Sequence, residues 1–109
     1  MPVLLLSIML VVQTGLWFHA RQVVEAAAQE ALEAAQAEMA SADDGTRAGE
    51  GFLADAGGVR DAAVDVVRDA ATVSVDVRGT APNVLPLTVW QVRAAVSGEI
   101  ERFVAEIDR

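Results

Sequence analysis

The chain has no cysteine, no lysine and a single histidine, and aromatic side chains fill only 5% of its 109 positions. Each absence closes off a class of chemistry. Without cysteine there is no disulfide, no thiolate nucleophile and no cysteine-based metal site. An exported domain without disulfides is ordinary in bacteria and less expected of a small secreted eukaryotic domain. One histidine, His19, falls short of the three or four protein ligands of a typical zinc site. Gly57-Gly58 has neither the motif context nor the nearby lysine of a phosphate-binding loop. Ser7, Ser41, Ser74 and Ser97 have no base at a recognisable spacing. Asp43-Asp44-Gly45 opens like a calcium loop, but the pattern is not completed downstream. Asp65, Asp69 and Asp76 are best explained as a solvated face. The expectation is a non-enzyme with no cofactor, no metal and no small-molecule substrate.

Basic charge is also scarce. Sixteen acids face eight arginines, for a net charge of -8. That argues against nucleic-acid binding, which needs a basic face. The acids are scattered along the chain, as on a solvated, self-repelling surface. With 53% hydrophobic residues but few aromatics, the core has to be built from Val, Ala and Leu.

The N-terminus is apolar. Residues 1–20 carry no charged side chain, and the run Pro2-Val3-Leu4-Leu5-Leu6-Ser7-Ile8-Met9-Leu10-Val11-Val12 is broken only by Ser7. Gln13, Thr14 and Gly15 soften the run, and Leu16-Trp17-Phe18 resumes it. Pro2 suits a first helical turn, where its missing N–H costs nothing. About twenty helical residues cross a hydrocarbon core of about 30 Å, and interfacial aromatics sit where Trp17 stands. A cleaved signal peptide would need a basic start and a small-x-small cleavage site, and neither is present. A buried core helix is the other alternative; a membrane anchor fits best. Arg21, the nearest charge, taken literally places the rest of the chain on the cytoplasmic side.

The helix is expected to continue past the anchor. Residues 21–40 contain no Gly or Pro and are rich in helix formers. Gln22, Glu25, Gln29, Glu33 and Gln36 share one face; Val24, Ala28, Ala31, Ala35 and Met39 lie roughly opposite. The small alanines allow another element to approach closely. A simple transmembrane helix with a stalk is the plainer alternative. Ser41-Ala42-Asp43-Asp44-Gly45 reads as a turn, with Asp44 or Thr46 capping a short second helix over residues 47–56, anchored by Phe52 and Leu53 and ended by Gly57-Gly58.

Residues 59–68 fit either a strand or a helix, and the strand is favoured because Val73-Ser74-Val75-Asp76-Val77-Arg78 alternates strictly after it. Ala62, Val64 and Val66 then share a face, and Arg68-Asp69-Ala70-Ala71 forms the turn. A proline-containing loop comes next, at residues 79–86. A third strand is expected over residues 87–97, with Trp90, Val92, Ala94 and Val96 on one face and Gly98 as its end. Glu99 begins a polar tail with Ile100, Phe103 and Ile107. A sheet with one apolar face needs a cover, which the amphipathic half of the first helix supplies. The expected fold class is α+β: a long N-terminal helix, a second short helix, and a three-stranded antiparallel sheet packed on the first helix.

This combination resembles the TadE/TadG-like pseudopilin family of tight-adherence pilus systems. The resemblance lies in the apolar start through Leu16-Trp17-Phe18-His19-Ala20-Arg21-Gln22-Val23, in the continuation Ala26-Ala27-Ala28-Gln29-Glu30, and in the Val-rich strand ending at Gly79 with the closing strand and Gly98-Glu99-Ile100-Glu101-Arg102-Phe103. It implies a minor-pilin-like structural subunit, single-pass in the cell membrane, with its head extracytoplasmic. It also implies partners: other pilins or pseudopilins, an assembly ATPase and a membrane platform. Prepilin-like chains carry a basic leader, a small cleavage-site residue and usually a Glu early in the helix. None precedes Pro2, so either the true start lies upstream or the chain is unprocessed, and no processing residue is assigned. Upstream basic residues would reverse the orientation that Arg21 suggests.

Residues 1–20 are thus expected to be the transmembrane and assembly segment, with Leu4, Leu5, Leu6, Leu10, Val11, Leu16, Trp17 and Phe18 as its packing residues. Residues 21–109 are expected to form the head. A single-pass binding or regulatory module of an envelope complex is the competing reading.

Overall fold

A computed structural model describes residues 1–37, 39–85 and 88–100. The element order is α1 (Pro2–Gln36), α2 (Ala42–Ala56), β1 (Arg60–Arg68), β2 (Thr72–Thr80) and β3 (Gln91–Glu99). The expected α+β class is what the chain adopts: a long helix, a short helix, and an antiparallel sheet in the order β1-β2-β3 packed on α1. At about 1.5 Å per residue, α1 is a rod of about 52 Å, and the molecule measures 71 × 26 × 20 Å.

Pro2 opens α1. The helix ends at Gln36 rather than Ala40, because Ala37 turns to extended backbone (φ -58°, ψ 145°). Arg68, reaching over from β1, covers the end: its Nε donates to Ala35 O at 3.0 Å and its Nη2 to Ala37 O at 3.2 Å. A guanidinium there satisfies carbonyls that have no partner inside the helix. Met39, expected on the apolar stripe, lies beyond this stop and is 94% exposed.

The second helix starts earlier than expected, at Ala42. Its cap is Ser41, not Asp44 or Thr46. Ser41 Oγ accepts from Asp44 N at 3.3 Å, and Asp44 Oδ2 accepts from Ser41 N at 2.8 Å. This is a reciprocal capping box, with the short Asp in the role usually filled by Glu. The Ser41 backbone N–H is the main reason the Asp44 carboxyl sits below the ordinary carboxylate range, with Arg47 adding to it. Gly57 and Gly58, at φ 69° and 82°, end the helix in the left-handed region.

α2 crosses α1 with glycines against alanines. A Cβ added at Gly45 would stand 2.8 Å from Ala35 Cβ and 2.9 Å from Ala31 O. At Gly49 it would stand 3.2 Å from Ala31 Cβ. The close approach foreseen from the alanines therefore takes two glycines on the partner helix as well.

The sheet buries one face. Val64, Val77 and Ala94 form one cross-strand row, and Val66, Val75 and Val96 the next. These rows face the core, with Val73, Val92 and Ala81 beside them, against Ala20, Val24, Ala27, Ala28, Ala31, Leu32 and Ala35 of α1. Two details differ from expectation. The register slips between Arg60 and Ala63, around Asp61 at φ 52°, so Ala62 does not join Val64 and Val66 but is exposed. An extra residue in one strand flips the alternation on its far side. β3 also starts at Gln91 rather than residue 87, and it runs through Gly98, which pairs with Val73. With no side chain at Gly98, the Gln36 amide lies directly against it and donates to Glu99 O at 2.9 Å. Leu87, Phe103 and Ile107 lie outside the described residues.

Candidate functional site: the bare end of the first helix

One helix carries two different surfaces. From Ala20 to Ala35 its apolar side chains are covered by α2 and the sheet. Toward the N-terminus they are bare: Leu4, Leu5, Leu6, Ile8, Leu10 and Val11 are all more than half exposed. Only 11% of the most apolar 18-residue stretch of α1 is buried within the molecule. The chain's own head therefore does not explain this apolar run as a core helix would be explained.

The polar groups within the run are satisfied. Ser7 Oγ donates to Val3 O and Thr14 Oγ1 to Leu10 O, each at 2.9 Å and each one turn back. Gln13, read from the sequence as a softening of the run, is completely buried. Its Nε2 donates to Pro82 O at 3.0 Å, and its Oε1 accepts from Val84 N at 2.7 Å and Leu85 N at 3.3 Å. Among the described residues, no buried side-chain nitrogen or oxygen lacks a partner. In hydrocarbon an unsatisfied polar group costs several kcal/mol, roughly, so this pairing suits a lipid-facing helix.

The sequence-derived packing residues divide into two groups. Leu4, Leu5, Leu6, Leu10, Val11 and Phe18 stand on exposed surface. Leu16 and Trp17 are half-buried. Trp17 packs on the edge of the head core, its indole Nε1 donates to Gln91 O at 3.4 Å, and the Arg21 guanidinium lies 5.6 Å above its ring. Such a contact adds a modest cation–π attraction. The head thus reaches α1 as far down as Gln13. The signal for that contact was a lone Gln in an apolar run, but its partner lay about seventy residues downstream in a loop with no pattern of its own.

The opposite face of the sheet is polar. Arg93 grips Asp76 through two bonds of 2.9 and 2.7 Å, and Arg78 lies 3.4 Å from Asp65 and 3.6 Å from Asp76. The Arg93 hydrogen bonds lower the Asp76 carboxyl below its usual range and raise the Arg93 guanidinium above its own. At the hairpin, backbone N–H groups of Ala71 and Thr72 donate to Asp69 and lower it likewise. This face has the chemistry of a solvated surface. Among the described residues, no cluster of three or more acids and histidines could hold a metal ion.

The model of the TadE-like protein family matches the chain over residues 1–33, nearly the whole of α1. No curated protein and no solved structure gives a significant match. The match covers the same helix that leaves its apolar end bare, a helix long and apolar enough to cross a membrane. Over this N-terminal helix alone, the chain is similar to the TadE-like protein family.

Proposed function

We propose that this protein is a structural pseudopilin, a minor-pilin-like subunit of a tight-adherence, type IV-like pilus or of its assembly machinery. Residues 1–20 are its transmembrane and assembly segment. Residues 21–109 form a head on the outer side of the cell membrane. The observation that carries the reading is the bare apolar end of a TadE-like helix whose every polar side chain before Trp17 is already paired. Such a segment is ready for lipid, or for the equally apolar helices of neighbouring subunits in a filament. Its partners are then the membrane, other pilins or pseudopilins, and the assembly platform. The role asks no catalysis, cofactor or nucleic acid of the chain.

Leu10→Asp tests it in the native host. Leu10 is more than half exposed and lies outside the core cluster of the head, so the head should fold normally while the variant fails to support pili. Wild-type piliation by this variant, produced at wild-type levels, would overturn the proposed role. Normal pili after complete removal of the protein would favour a membrane-anchored module outside the filament.

A further inference from the structure

The loop between β2 and β3 has no part in the anchoring and assembly role of α1. Its composition is unusual for this chain. Residues 79–92 carry no charged side chain, although 22% of the whole sequence is charged. Pro82, Val84, Leu85 and Val89 fall in this stretch, and Val84 and Val89 are 40% and 73% exposed. A loop on the wet surface of an acidic head has no evident reason to be free of charge and to present valines.

The loop's position along the rod supplies a reason. Gln13 holds it at Pro82, Val84 and Leu85. Arg21 is the first charged side chain of α1, and it marks the polar boundary on the head side whatever precedes the chain. Gln13 lies eight residues nearer the apolar end, about 12 Å along the axis at about 1.5 Å per residue. The loop therefore descends beside the apolar half of the helix. Trp17 stands between these levels, bonded to the backbone of Gln91, and Trp90 precedes Gln91 in the chain. Tryptophans mark the headgroup level of membrane proteins.

Irregular backbone is tolerated at that depth only if its polar groups find partners. Here they do. Gln13 serves the Pro82 carbonyl and two N–H groups. Asn83 Nδ2 donates to Thr88 O, and Thr88 Oγ1 bonds Asn83 Oδ1 at 2.9 Å and Leu85 O at 2.8 Å. Ala81 N donates to Trp90 O at 2.8 Å. Pro82 has no N–H to satisfy.

We propose that this loop, at residues 81–85 and 88–90, is a second membrane-contacting element: it enters the head-side leaflet beside α1, with Gln13 as the latch that holds it there. The occupant of its exposed valine surface is lipid, because the loop is continuous with the bare apolar helix and lies on the apolar side of Arg21. It fixes how deeply the head sits and which way it faces, which a lone helix free to rotate would not. The inference rests on the membrane reading of α1.

The absence of native cysteine permits a direct test on the full chain in phospholipid vesicles. Single-cysteine variants at the exposed positions Leu10, Val67, Val84 and Val89 would carry a nitroxide label, and collision rates with oxygen and with a water-soluble nickel chelate would be compared. Labels at 84 and 89 should favour oxygen, as at 10, whereas the label at 67 on the sheet should favour nickel. Adding Gln13→Leu should shift 84 and 89 toward nickel and leave 10 unchanged. Nickel-favouring labels at 84 and 89 with an oxygen-favouring label at 10 would overturn the loop proposal alone. Protection at 84 that rises with protein-to-lipid ratio would assign the surface to a second copy and also overturn it. A nickel-favouring label at 10 would overturn the membrane reading itself, and the loop proposal with it.

Discussion

The two halves of α1 share a backbone and much of their apolar content, yet they have opposite fates. Ala20, Ala27, Ala28, Ala31 and Ala35 are completely buried, while Leu4, Leu5, Leu6 and Leu10 are mostly exposed. Small residues allow close packing, and the covered half has α2 and the sheet drawn in against it. Large leucines present wide apolar surface, and the bare half has no element of its own head to receive it. Side-chain size separates the half that builds the head from the half left for something outside the molecule. Gln13 is the hinge between them: a polar residue inside the apolar half that ties the head to it.

The comparison can be broken most severely in the covered half. Ala31→Asp would place an unpaired carboxylate against α2 and should cost about 3–5 kcal/mol, enough to abolish cooperative unfolding of the head; circular dichroism melting in detergent would show it. Gly45→Val should be next, because the added atoms meet Ala35 Cβ and the Ala31 carbonyl, both fixed in a helix. Overpacking of this kind costs about 1–3 kcal/mol, read as a lowered melting temperature.

In the bare half the sign of the evidence reverses. Leu10→Asp should leave the melting curve in place and instead cost insertion about 2.5–3.5 kcal/mol on the translocon scale. Flotation of membranes through a density gradient reads that loss. Should Leu10→Asp unfold the head, or Ala31→Asp spare it, the division of labour along α1 would be mistaken.

The smallest effect belongs to the outer face of the sheet. Arg93→Ala removes an exposed pair and should lower stability only slightly, less in high salt. Its pH dependence comes from Asp76. The folded carboxyl lies below its unfolded value of about 3.9, so the stabilisation is full above that pH and disappears as pH falls through the folded value. The gap between wild type and Arg93→Ala should therefore be present at neutral pH and close in acid. Urea melts across that range would detect it; a gap that widened in acid would contradict the assignment.

Much of the fold was legible because its signals are local. Strict alternation around Val75 gave β2, and the covered face of α1 came from helical spacing. Less legible were features set by contacts between distant segments. The stop at Gln36 depends on Arg68, and Gly98 stays in its strand through Gln36. The Ser41 cap needs only local sequence, but Asp44 fits the cap by residue type as well as the reciprocal position it occupies. Of the anchor, the apolar run was plain from composition. What hydrophobicity could not convey is that Trp17 leans on the head, and that Gln13 is bound rather than merely tolerated.

The most direct test of the account is the accessibility of the head in living cells. Val67 is exposed on the sheet, and the chain has no other thiol once it is replaced by cysteine. A membrane-impermeant maleimide applied to intact spheroplasts of the native host should label Val67→Cys in the membrane fraction without lysis. Labelling only after lysis would put the head in the cytoplasm and contradict the pseudopilin account.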